Sequence, residues 1–431
     1  MDVTDAHAPA GWPGELLLEG RTPFRLPMLE SQRRHSLERG PGDKDERTVF
    51  HNPAMAASRT RSVLLLAHEM ESGWICEDDG PVCALDGMAA SGLRSRRWLS
   101  ELPAELAARL QVTVVDLDSE SISWAAANQE HLPLPHAVRE PHFSIGDLCH
   151  IARESEWQWL DIDPFGSPIR FLSPVIQAAA PRAVLEVSAT DTAALTGSSR
   201  SALKRRYKAR ARPDALAHDS GLRILLATIA RIAAQHDRSI EPLLSIWDGH
   251  HLRISTRIAH SPNASDTLED QLGWRMADPG DGQPAILLPL DEQVDEDDPR
   301  VSGPLWIGPL GQDEAMAALT PERALELCAP RMDDPFVEEL GLSERDVRLR
   351  TRAAERAVRH IAGEASAIHS PTLLVVDELP KLLDINAPPS PSKLAAALRE
   401  AGHAGAVATY GEPAIRTDAP WDVVEATCAE F

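Results

Sequence analysis

The sequence predicts an α/β fold with a doubly wound sheet, in which helices cover both faces of mostly parallel strands. Between residues 82 and 258, short apolar segments typical of buried strands alternate with longer segments of helical periodicity. Four acids follow or end predicted strands: Asp86, Asp116, Asp147 and Asp163. Because ligands bind at the carboxyl ends of the strands in such sheets, these acids mark a candidate binding edge.

The first predicted strand, residues 82–86, leads into a turn of small residues. Residues 87–92 read Gly-Met-Ala-Ala-Ser-Gly, and a helix is predicted from Leu93. Small residues between a strand and a helix let a ligand approach the backbone and the helix N-terminus. The turn lacks the glycine spacing of the dinucleotide fingerprint, which disfavours a nicotinamide dehydrogenase. The second strand, residues 112–116, ends at Asp116, where an acid usually binds the ribose hydroxyls of an adenosine cofactor.

Residues 159–168 are the most informative stretch of the chain. An apolar run there ends at Asp163, Pro164 stops the strand, and Gly166 permits a sharp turn. Phe165 could stack on a flat base while Asp163 accepts an N–H hydrogen bond from its exocyclic amine. This arrangement fits group transfer to that amine. The tetrapeptide alone is equally compatible with a plain turn after a strand.

The chain of 431 residues carries a formal net charge of -23. It is long enough for two or three domains, and a nucleic-acid partner would need a local basic patch. The five cysteines are scattered, which favours a reducing compartment over a disulfide framework or a zinc site. We find no signal-peptide pattern and no apolar run long enough to span a membrane. We therefore expect a metal-free cytoplasmic protein.

Residues 1–48 are predicted to form an N-terminal extension of strand fragments and loops, with dense charge at residues 31–47. An apolar run at residues 62–68 predicts a helix. Arg59 lies near the start of this helix, where its charge opposes the helix dipole. Its side chain is therefore expected to point at an anionic ligand, or else to be solvated.

The densest positive segment covers residues 200–212 and follows a predicted strand at residues 183–187. Lys204, Arg205 and Arg206 lie at its centre. Because the segment leaves the sheet at the predicted ligand edge, it is a candidate surface for phosphates. A solvated run of charge would have the same composition.

Residues 221–235 predict a buried helix, and residues 243–258 predict a hairpin. The hairpin turn contains His250 and His251, but a turn is favoured over a metal site because no third ligand lies nearby. The polar composition of residues 259–300 predicts a boundary and a surface loop.

Residues 303–310 predict a compact aromatic turn. In the tail, Ser390 is predicted to cap a helix that begins at Pro391. A small hairpin is predicted at residues 406–417. A helix followed by such a wing is typical of nucleic-acid-binding modules, and equally of plain packing modules.

Taken together, the ordered motifs resemble the tRNA (guanine-26) N2-dimethyltransferases. The resemblance runs from about Phe50 to Ile258 and resumes at Gly303 and in the last forty residues. The motifs that carry it are Val-Phe-His-Asn-Pro53 with Arg59, Leu85-Asp-Gly-Met-Ala-Ala-Ser-Gly-Leu-Arg94, Asp161-Ile-Asp-Pro-Phe-Gly-Ser-Pro168, Ser188-Ala-Thr-Asp-Thr192, Gly221-Leu-Arg-Ile-Leu-Leu226, Gly303-Pro-Leu-Trp-Ile-Gly-Pro-Leu310 and Ile415-Arg-Thr-Asp-Ala-Pro420.

The resemblance implies S-adenosylmethionine as methyl donor, tRNA as partner, and transfer of one or two methyl groups to guanine N2 at position 26. By position it implies Asp163 as the catalytic acid beside Pro164 and Phe165. The residues expected around the cofactor are Arg59, Asp86, Arg94, Asp116, Asp147 and Leu148. We expect Lys204, Arg205 and Arg206 to bind the tRNA backbone near the target base.

The resemblance also implies two domains. A Rossmann-like class I methyltransferase domain is expected at residues 1–258, including the N-terminal extension. A smaller α+β domain with a winged-helix-like tail is expected at residues 259–431.

The chain departs from the family pattern at several positions. The family's Asn-Arg-Asp reads Ser58-Arg59-Thr60, its Asp-His-Tyr-Phe-Arg reads Gly249-His-His-Leu-Arg253, and a Thr-His reads Thr409-Tyr410. The four-cysteine zinc site of some members is missing from the sequence. These changes leave the predicted cofactor site intact and affect the expected docking of RNA.

Two other functions are compatible with parts of the sequence. The Asp-Pro-Phe motif occurs in amino-methyltransferases generally, so the target could be an adenine amine. A non-catalytic RNA-binding module with the same fold is the second alternative. The aspartates at all four predicted strand ends argue against the loss of catalysis.

Overall fold

A computed structural model describes residues 8–28, 49–76, 80–280, 282–383 and 385–431. The charged segment at residues 31–47, for which strand fragments and loop were predicted, lies outside these ranges. The strands of the described part are β1 (Glu15–Glu19), β2 (Thr22–Leu26), β3 (Val82–Gly87), β4 (Leu110–Asp116), β5 (His142–Ile145), β6 (Trp157–Ile162), β7 (Ala179–Ala189), β8 (Arg238–Trp247), β9 (Leu252–His260), β10 (Leu272–Met276), β11 (Ile286–Pro289), β12 (Val301–Trp306), β13 (Thr372–Val375), β14 (Gly405–Val407) and β15 (Ala414–Thr417).

The α-helices of the described part cover both long segments and single turns. They are α1 (Ala56–Glu71), α2 (Leu93–Glu101), α3 (Ala104–Ala107), α4 (Ser119–His131), α5 (Leu148–Ile151), α6 (Ile169–Gln177), α7 (Thr192–Leu195), α8 (Arg200–Tyr207), α9 (Ala217–Ala234), α10 (Ala264–Leu268), α11 (Asp313–Ala318), α12 (Pro321–Cys328), α13 (Pro335–Glu339), α14 (Glu344–Ala357), α15 (Ile361–Glu364), α16 (Leu379–Leu382), α17 (Pro391–Glu400) and α18 (Trp421–Cys428). Short 3-10 turns occur at Pro53–Met55, Ala152–Glu154, Glu269–Gln271, Ala365–Ala367 and Val376–Glu378.

The predicted doubly wound α/β fold is confirmed. A seven-stranded sheet has the order β5-β4-β3-β6-β7-β9-β8. The strands from β5 to β7 pair in parallel, whereas β8 and β9 form the predicted antiparallel hairpin. The chain moves outward from β3 to β5 and then returns to β6 on the other side of β3. The carboxyl ends of β3 and β6 therefore flank the switch point, where open α/β sheets bind ligands.

The chain divides into two compact units. The first contains residues 1–187 and 318–359, and the second contains residues 188–317 and 360–431. The predicted domain boundary after residue 258 stays a prediction, because compactness does not by itself define a functional domain. No helix of the described ranges combines the length and the apolar character needed to cross a membrane.

Helix α2 holds the first unit together through buried arginines. All nine of its residues are buried, and Arg97 is fully enclosed. The Arg97 guanidinium pairs with Glu101 at 2.7 Å and with Glu19 of β1 at 3.1 Å. Arg96, in the same helix, donates to the carbonyl oxygens of Pro23 and Leu132 at 2.9 Å each. The β1–β2 hairpin is thus attached to α2, beside the seven-stranded sheet, by charge-assisted bonds as well as by apolar packing.

The second unit contains two small antiparallel sheets, with the orders β11-β10-β12 and β13-β15-β14. The prediction that residues 259–300 form only a boundary and surface loop is wrong, because this segment contains α10, β10 and β11. These elements have four or five residues, which is too short to give a clear periodic signal.

The prediction of a compact aromatic turn at residues 303–310 is wrong for its first half. Residues 303–306 belong to β12. The Gly303-Pro304 pair indicates a turn by composition, but proline is compatible with an edge strand, and β12 lies at the edge of its sheet. Arg223 of α9 donates to the carbonyl oxygens of Trp306 and Gly308 at 3.0 Å each. These bonds fix the path of the chain where it leaves the strand.

The predicted tail helix and hairpin are present as α17 and as β14 paired with β15. Ser390 occupies the N-cap position, but its side chain makes no capping hydrogen bond and instead lies 3.0 Å from the Ser392 hydroxyl. The third strand of this sheet, β13, comes from residues 372–375. The winged-helix-like character of the tail stays a prediction.

The contribution of the buried ion pairs to stability can be tested at the Glu19 carboxylate. Burial would raise the pKa of Glu19, but Arg59 and Arg97 outweigh burial and lower it from 4.5 to about 2. A lowered folded-state pKa contributes stability above the unfolded value, and that stability is lost as the pH falls towards 2. We expect Glu19→Gln to lose on the order of 3 kcal/mol of unfolding free energy at pH 7. Its stability should also change less than that of the wild type between pH 4.5 and pH 2.

Urea denaturation at a series of pH values measures both effects. Glu326→Gln is the matched control, because Glu326 is exposed and pairs only at the surface with Arg323. If the unfolding free energy of Glu19→Gln depended on pH in the same way as that of the wild type, Glu19 would not be a source of the acid sensitivity.

Candidate active site

A cavity of about 280 Å³ lies in the first unit at the carboxyl ends of the parallel strands. The loops after β3, β4, β5 and β6 and the start of α6 form its wall. Its lining residues are Met88, Val115, Asp116, Leu117, Gly146, Asp147, Leu148, Pro164, Phe165, Ser167, Arg170 and Phe171. The structure therefore brings together five residues that the sequence singled out, namely Asp116, Asp147, Leu148, Pro164 and Phe165.

Asp116 organises the loop after β3 as well as lining the cavity. Its Oδ2 accepts the backbone N–H of Ala90 at 2.8 Å, and its Oδ1 accepts that of Asp118 at 2.9 Å. Met88 and Ala90 both have a positive φ, of 60° and 47°. Such conformations are strained for residues with a side chain and cluster at ligand-binding sites. Asp116 is one of the groups that hold this strained turn against the cavity.

The floor of the cavity is closely packed around Gly87. A Cβ atom at this position would lie 2.7 Å from the Leu148 side chain and 2.8 Å from the carbonyl oxygen of Asp161. Asp147 accepts the N–H of Cys149 at 2.8 Å and so caps the short helix α5. Gly87, the last residue of β3, is thus required for close packing against Leu148.

Arg94 joins α2 to the end of β6. Its Nη2 donates to Asp163 at 2.7 Å, and its Nε lies 3.4 Å from Asp161. Its Nη1 is buried and has no hydrogen-bond partner within the described residues. A buried guanidinium nitrogen without a partner costs free energy unless a ligand supplies an acceptor. Arg94 does not line the cavity, and contact between this nitrogen and an anionic group of a cofactor stays a prediction.

Asp86 is 2% exposed and does not line the cavity. It accepts the N–H of Ser95 at 3.1 Å, near the N-terminus of α2. Burial raises the pKa of Asp86, an effect that the charge of Arg94 opposes. Asp86 supports the position of α2, and its role as a cofactor ligand stays a prediction.

Arg59 also lies outside the residues that line the cavity. Its guanidinium makes two bonds of 2.6 Å to the carboxylate of Glu19, and its Nη2 donates to the carbonyl oxygen of Asn52 at 3.0 Å. The anionic group that Arg59 meets in the structure thus belongs to the chain itself. Contact between Arg59 and a cofactor stays a prediction.

Two aromatic rings meet at the mouth of the site. Phe165 is 64% exposed, and Phe50 packs edge-on against it with ring centroids 4.8 Å apart. Sequence analysis assigned no role to Phe50, although it lies in the Val-Phe-His-Asn-Pro motif. An exposed ring beside the carboxylate of Asp163 is suited to stacking on a planar ligand.

The basic segment of the second unit forms α8 and the loop after it. Arg206 pairs with Asp191 at 2.9 Å, and Arg210 pairs with Asp297 at 2.7 Å. Lys204 and Arg205 are exposed and make no described ion pair. The available positive charge of this segment is therefore smaller than its composition indicates.

The described ranges contain no group of three or more histidine, cysteine or acidic side chains arranged to hold a metal ion.

A family model described as N2,N2-dimethylguanosine tRNA methyltransferase matches residues 40–429. The match covers about nine tenths of the chain. The chain belongs to this family. Family membership agrees with the resemblance predicted from the sequence motifs.

Curated relatives match over most of their length. A tRNA (guanine(26)-N(2))-dimethyltransferase of Thermococcus kodakarensis is 30% identical over 390 residues, which cover 87% of this chain and 92% of the relative. One of the same description from Methanoregula boonei is 29% identical and covers 94% of this chain and 96% of the relative. Among solved structures, Trm1 from Pyrococcus horikoshii in complex with S-adenosyl-L-methionine is similar to this chain. The TM-score is 0.74 at 24% identity, covering 96% of this chain and 99% of that one. This similarity confirms the class I methyltransferase fold.

Replacement of Asp116 tests whether its carboxylate holds the turn after β3 in place. Asp116→Ala should lower the unfolding free energy by about 1–3 kcal/mol, because two backbone N–H groups lose their acceptor. Hydrogen exchange at the amides of Ala90 and Asp118 should become faster. Asp116→Asn keeps one acceptor oxygen and should show a smaller change at one of the two amides. Unchanged exchange at both amides in Asp116→Ala would show that other groups hold the turn.

Proposed function

We propose that this protein transfers one or two methyl groups from S-adenosylmethionine to the exocyclic N2 of guanine 26 in tRNA. The observation that carries the proposal is a cavity lined by Asp116, Asp147, Pro164 and Phe165. Asp163 directly precedes Pro164 in the chain and pairs with Arg94 at 2.7 Å. The family membership and the names of the full-length relatives support the same reaction.

The cavity residues fit the chemical groups of S-adenosylmethionine. Asp116 retains carboxylate lone pairs for the two ribose hydroxyls, and Leu148 offers an apolar surface to the adenine. The buried Nη1 of Arg94 supplies the donor that the amino-acid carboxylate requires. When bound, the cofactor supplies an electrophilic methyl group on a sulfonium centre. Asp86, Asp147 and Arg59 complete the proposed binding set.

Asp163 is the proposed catalytic acid. Guanine N2 is almost non-basic, so a strong base is unnecessary and positioning supplies most of the rate. The Asp163 carboxylate accepts an N–H bond from the amine and so directs the nitrogen lone pair towards the methyl group. Pro164 fixes the backbone at this point, and Phe165 stacks on the base. The 2.7 Å ion pair with Arg94 holds the Asp163 carboxylate in position.

The target base must leave its stack to reach Phe165, as in other enzymes that modify a base within folded nucleic acid. Lys204, Arg205 and Arg206 are the proposed contacts to the tRNA backbone. We place the methyltransferase domain at residues 1–258 and the family-specific domain, with a winged-helix-like tail, at residues 259–431. The substrate and the scattered cysteines are consistent with a cytoplasmic reaction.

Replacement of the proposed catalytic acid tests the function directly. Asp163→Asn should reduce methyl transfer by a barrier increase of about 3 kcal/mol or more, while cofactor affinity changes only a few-fold. The measurement is mass analysis of tRNA nucleosides after incubation with purified protein and cofactor, together with calorimetry of cofactor binding.

The wild-type product decides between the rival functions. Methylated guanosine carrying its label at N2 supports the proposal, whereas N6-methyladenosine would indicate the adenine-amine alternative. Tight tRNA binding without any methylated nucleoside would indicate a non-catalytic RNA-binding module. Normal turnover by Asp163→Asn would remove Asp163 from its catalytic role.

The α8 surface can be tested by charge reversal. The double substitution Lys204→Glu with Arg205→Glu should weaken tRNA binding and reduce the salt dependence by about one unit of slope per lost phosphate contact. Arg206→Gln is tested separately, because Arg206 already pairs with Asp191. The control, Lys381→Glu with Arg300→Glu, makes the same charge change in the same unit, at exposed side chains outside α8 and outside the tail helix α17. Equal behaviour of the two double variants would show that α8 is only a solvated surface.

A further inference from the structure

A second positively charged surface lies in the first unit, on helix α14. We call it the arginine stripe: Arg345, Arg348, Arg352 and Arg356. At 3.6 residues per turn these four positions fall within an arc of about 80° on one side of the helix. At 1.5 Å per residue they extend over about 16 Å. All four side chains are exposed.

The opposite face of α14 holds the helix in place. Val347, Ala354 and Ala357 are buried on that face. Arg350 donates from it to the carbonyl oxygen of Leu18 at 2.6 Å, and Arg61 of α1 donates to the carbonyl oxygen of Ala357 at 2.9 Å. The helix is therefore anchored on one side, and the stripe is presented to solvent on the other.

The stripe is not neutralised by the chain. Across the described ranges, Arg348, Arg352 and Arg356 make no hydrogen bond and no ion pair. By contrast, Arg323 in α12 pairs with both Glu71 and Glu326. Glu344 and Glu355 lie on the same helix, but in the described ranges no acid forms an ion pair with Arg348, Arg352 or Arg356.

Helix stability does not explain the stripe. Arg348, Arg352 and Arg356 are spaced at i, i+4 and i+8, where like charges repel. Arg345 lies in the first turn, where a positive charge opposes the helix dipole, and only Arg356 in the last turn is favoured by it. An unpaired, self-repelling row of guanidinium groups indicates a binding surface for a polyanion.

We propose that the arginine stripe binds the phosphate backbone of the tRNA substrate. This inference rests on the proposed function and adds a docking surface within the same unit as the candidate active site. Guanidinium groups bind phosphate oxygens through paired N–H bonds, and a rigid helix presents them at regular intervals that suit a chain of phosphates. The proposed substrate itself supplies a continuous row of phosphates, and this is the argument for tRNA over an acidic protein segment.

The test compares two triple variants that remove equal charge. Arg348→Gln with Arg352→Gln and Arg356→Gln removes the stripe. Arg139→Gln with Arg153→Gln and Arg331→Gln, which are exposed arginines elsewhere in the same unit, is the matched control. Binding of unmodified tRNA is measured at several salt concentrations.

The stripe variant should raise the Kd for tRNA by at least about tenfold at low salt and flatten the salt dependence by about two to three units of slope. The control should remain within about twofold of the wild type. KM for tRNA should rise while cofactor affinity stays constant. The corresponding Arg→Lys triple variant, which keeps the charges, should retain most of the salt slope.

The outcomes separate this inference from the proposed function. Suppose that the wild type methylates tRNA and that the stripe variant keeps both its affinity for tRNA and its salt slope. The inference about the arginine stripe is then overturned, while the proposed function stands. Equal losses in the stripe and control variants would also overturn it. A wild type that neither binds nor methylates tRNA refutes the proposed function itself. Glutamine is a good helix former, and far-ultraviolet circular dichroism checks that α14 remains folded.

Discussion

The structure depends on three arginines buried in one short helix. Arg94, Arg96 and Arg97 of α2 point in different directions, towards the end of β6, the N-terminal hairpin and the Glu19–Glu101 pair. Removing one partner from a buried ion pair is costly because the other charge is left in a low-dielectric interior. The hairpin, the sheet and the loop after β6 are therefore held together by electrostatic bonds that converge on α2.

Local patterns in the sequence were sufficient for the sheet and for much of the site. The strands ending near Asp86, Asp116 and Asp163 could be predicted because each is an apolar run closed by an acid. The pairing of Arg59 with Glu19 could not, since it joins residues 40 positions apart and depends on how the hairpin folds back. The same limit applies to β12, where Gly303 and Pro304 indicate a turn by composition and only the partner strand makes them part of a sheet.

Arginine supplies the buried positive charges of this lysine-poor chain. Nine arginines are buried in the described part of the chain: Arg59, Arg61, Arg94, Arg96, Arg97, Arg223, Arg253, Arg275 and Arg416. A planar guanidinium can satisfy several acceptors at once and keeps its charge when buried, whereas a buried lysine tends to lose its proton. Eight acids are buried in the same part of the chain, so the buried charges nearly balance and the surface keeps the acidic character of the composition. The exposed arginines of α8 and α14 are local exceptions on this acidic surface.

The bonds from Arg223 to Trp306 and Gly308 have an evolutionary consequence. In the sequence, the segment around Arg223 and the Gly-Pro-Leu-Trp-Ile-Gly-Pro-Leu segment are separate motifs about 80 residues apart. In the folded chain a single side chain, itself paired with Asp219, connects them. A change in one segment should therefore favour a compensating change in the other, and the two segments are expected to covary among relatives. The acidic loop between β11 and β12 is tied to the loop after α8 by the pair of Asp297 with Arg210, which is a more exposed contact than that of Arg223.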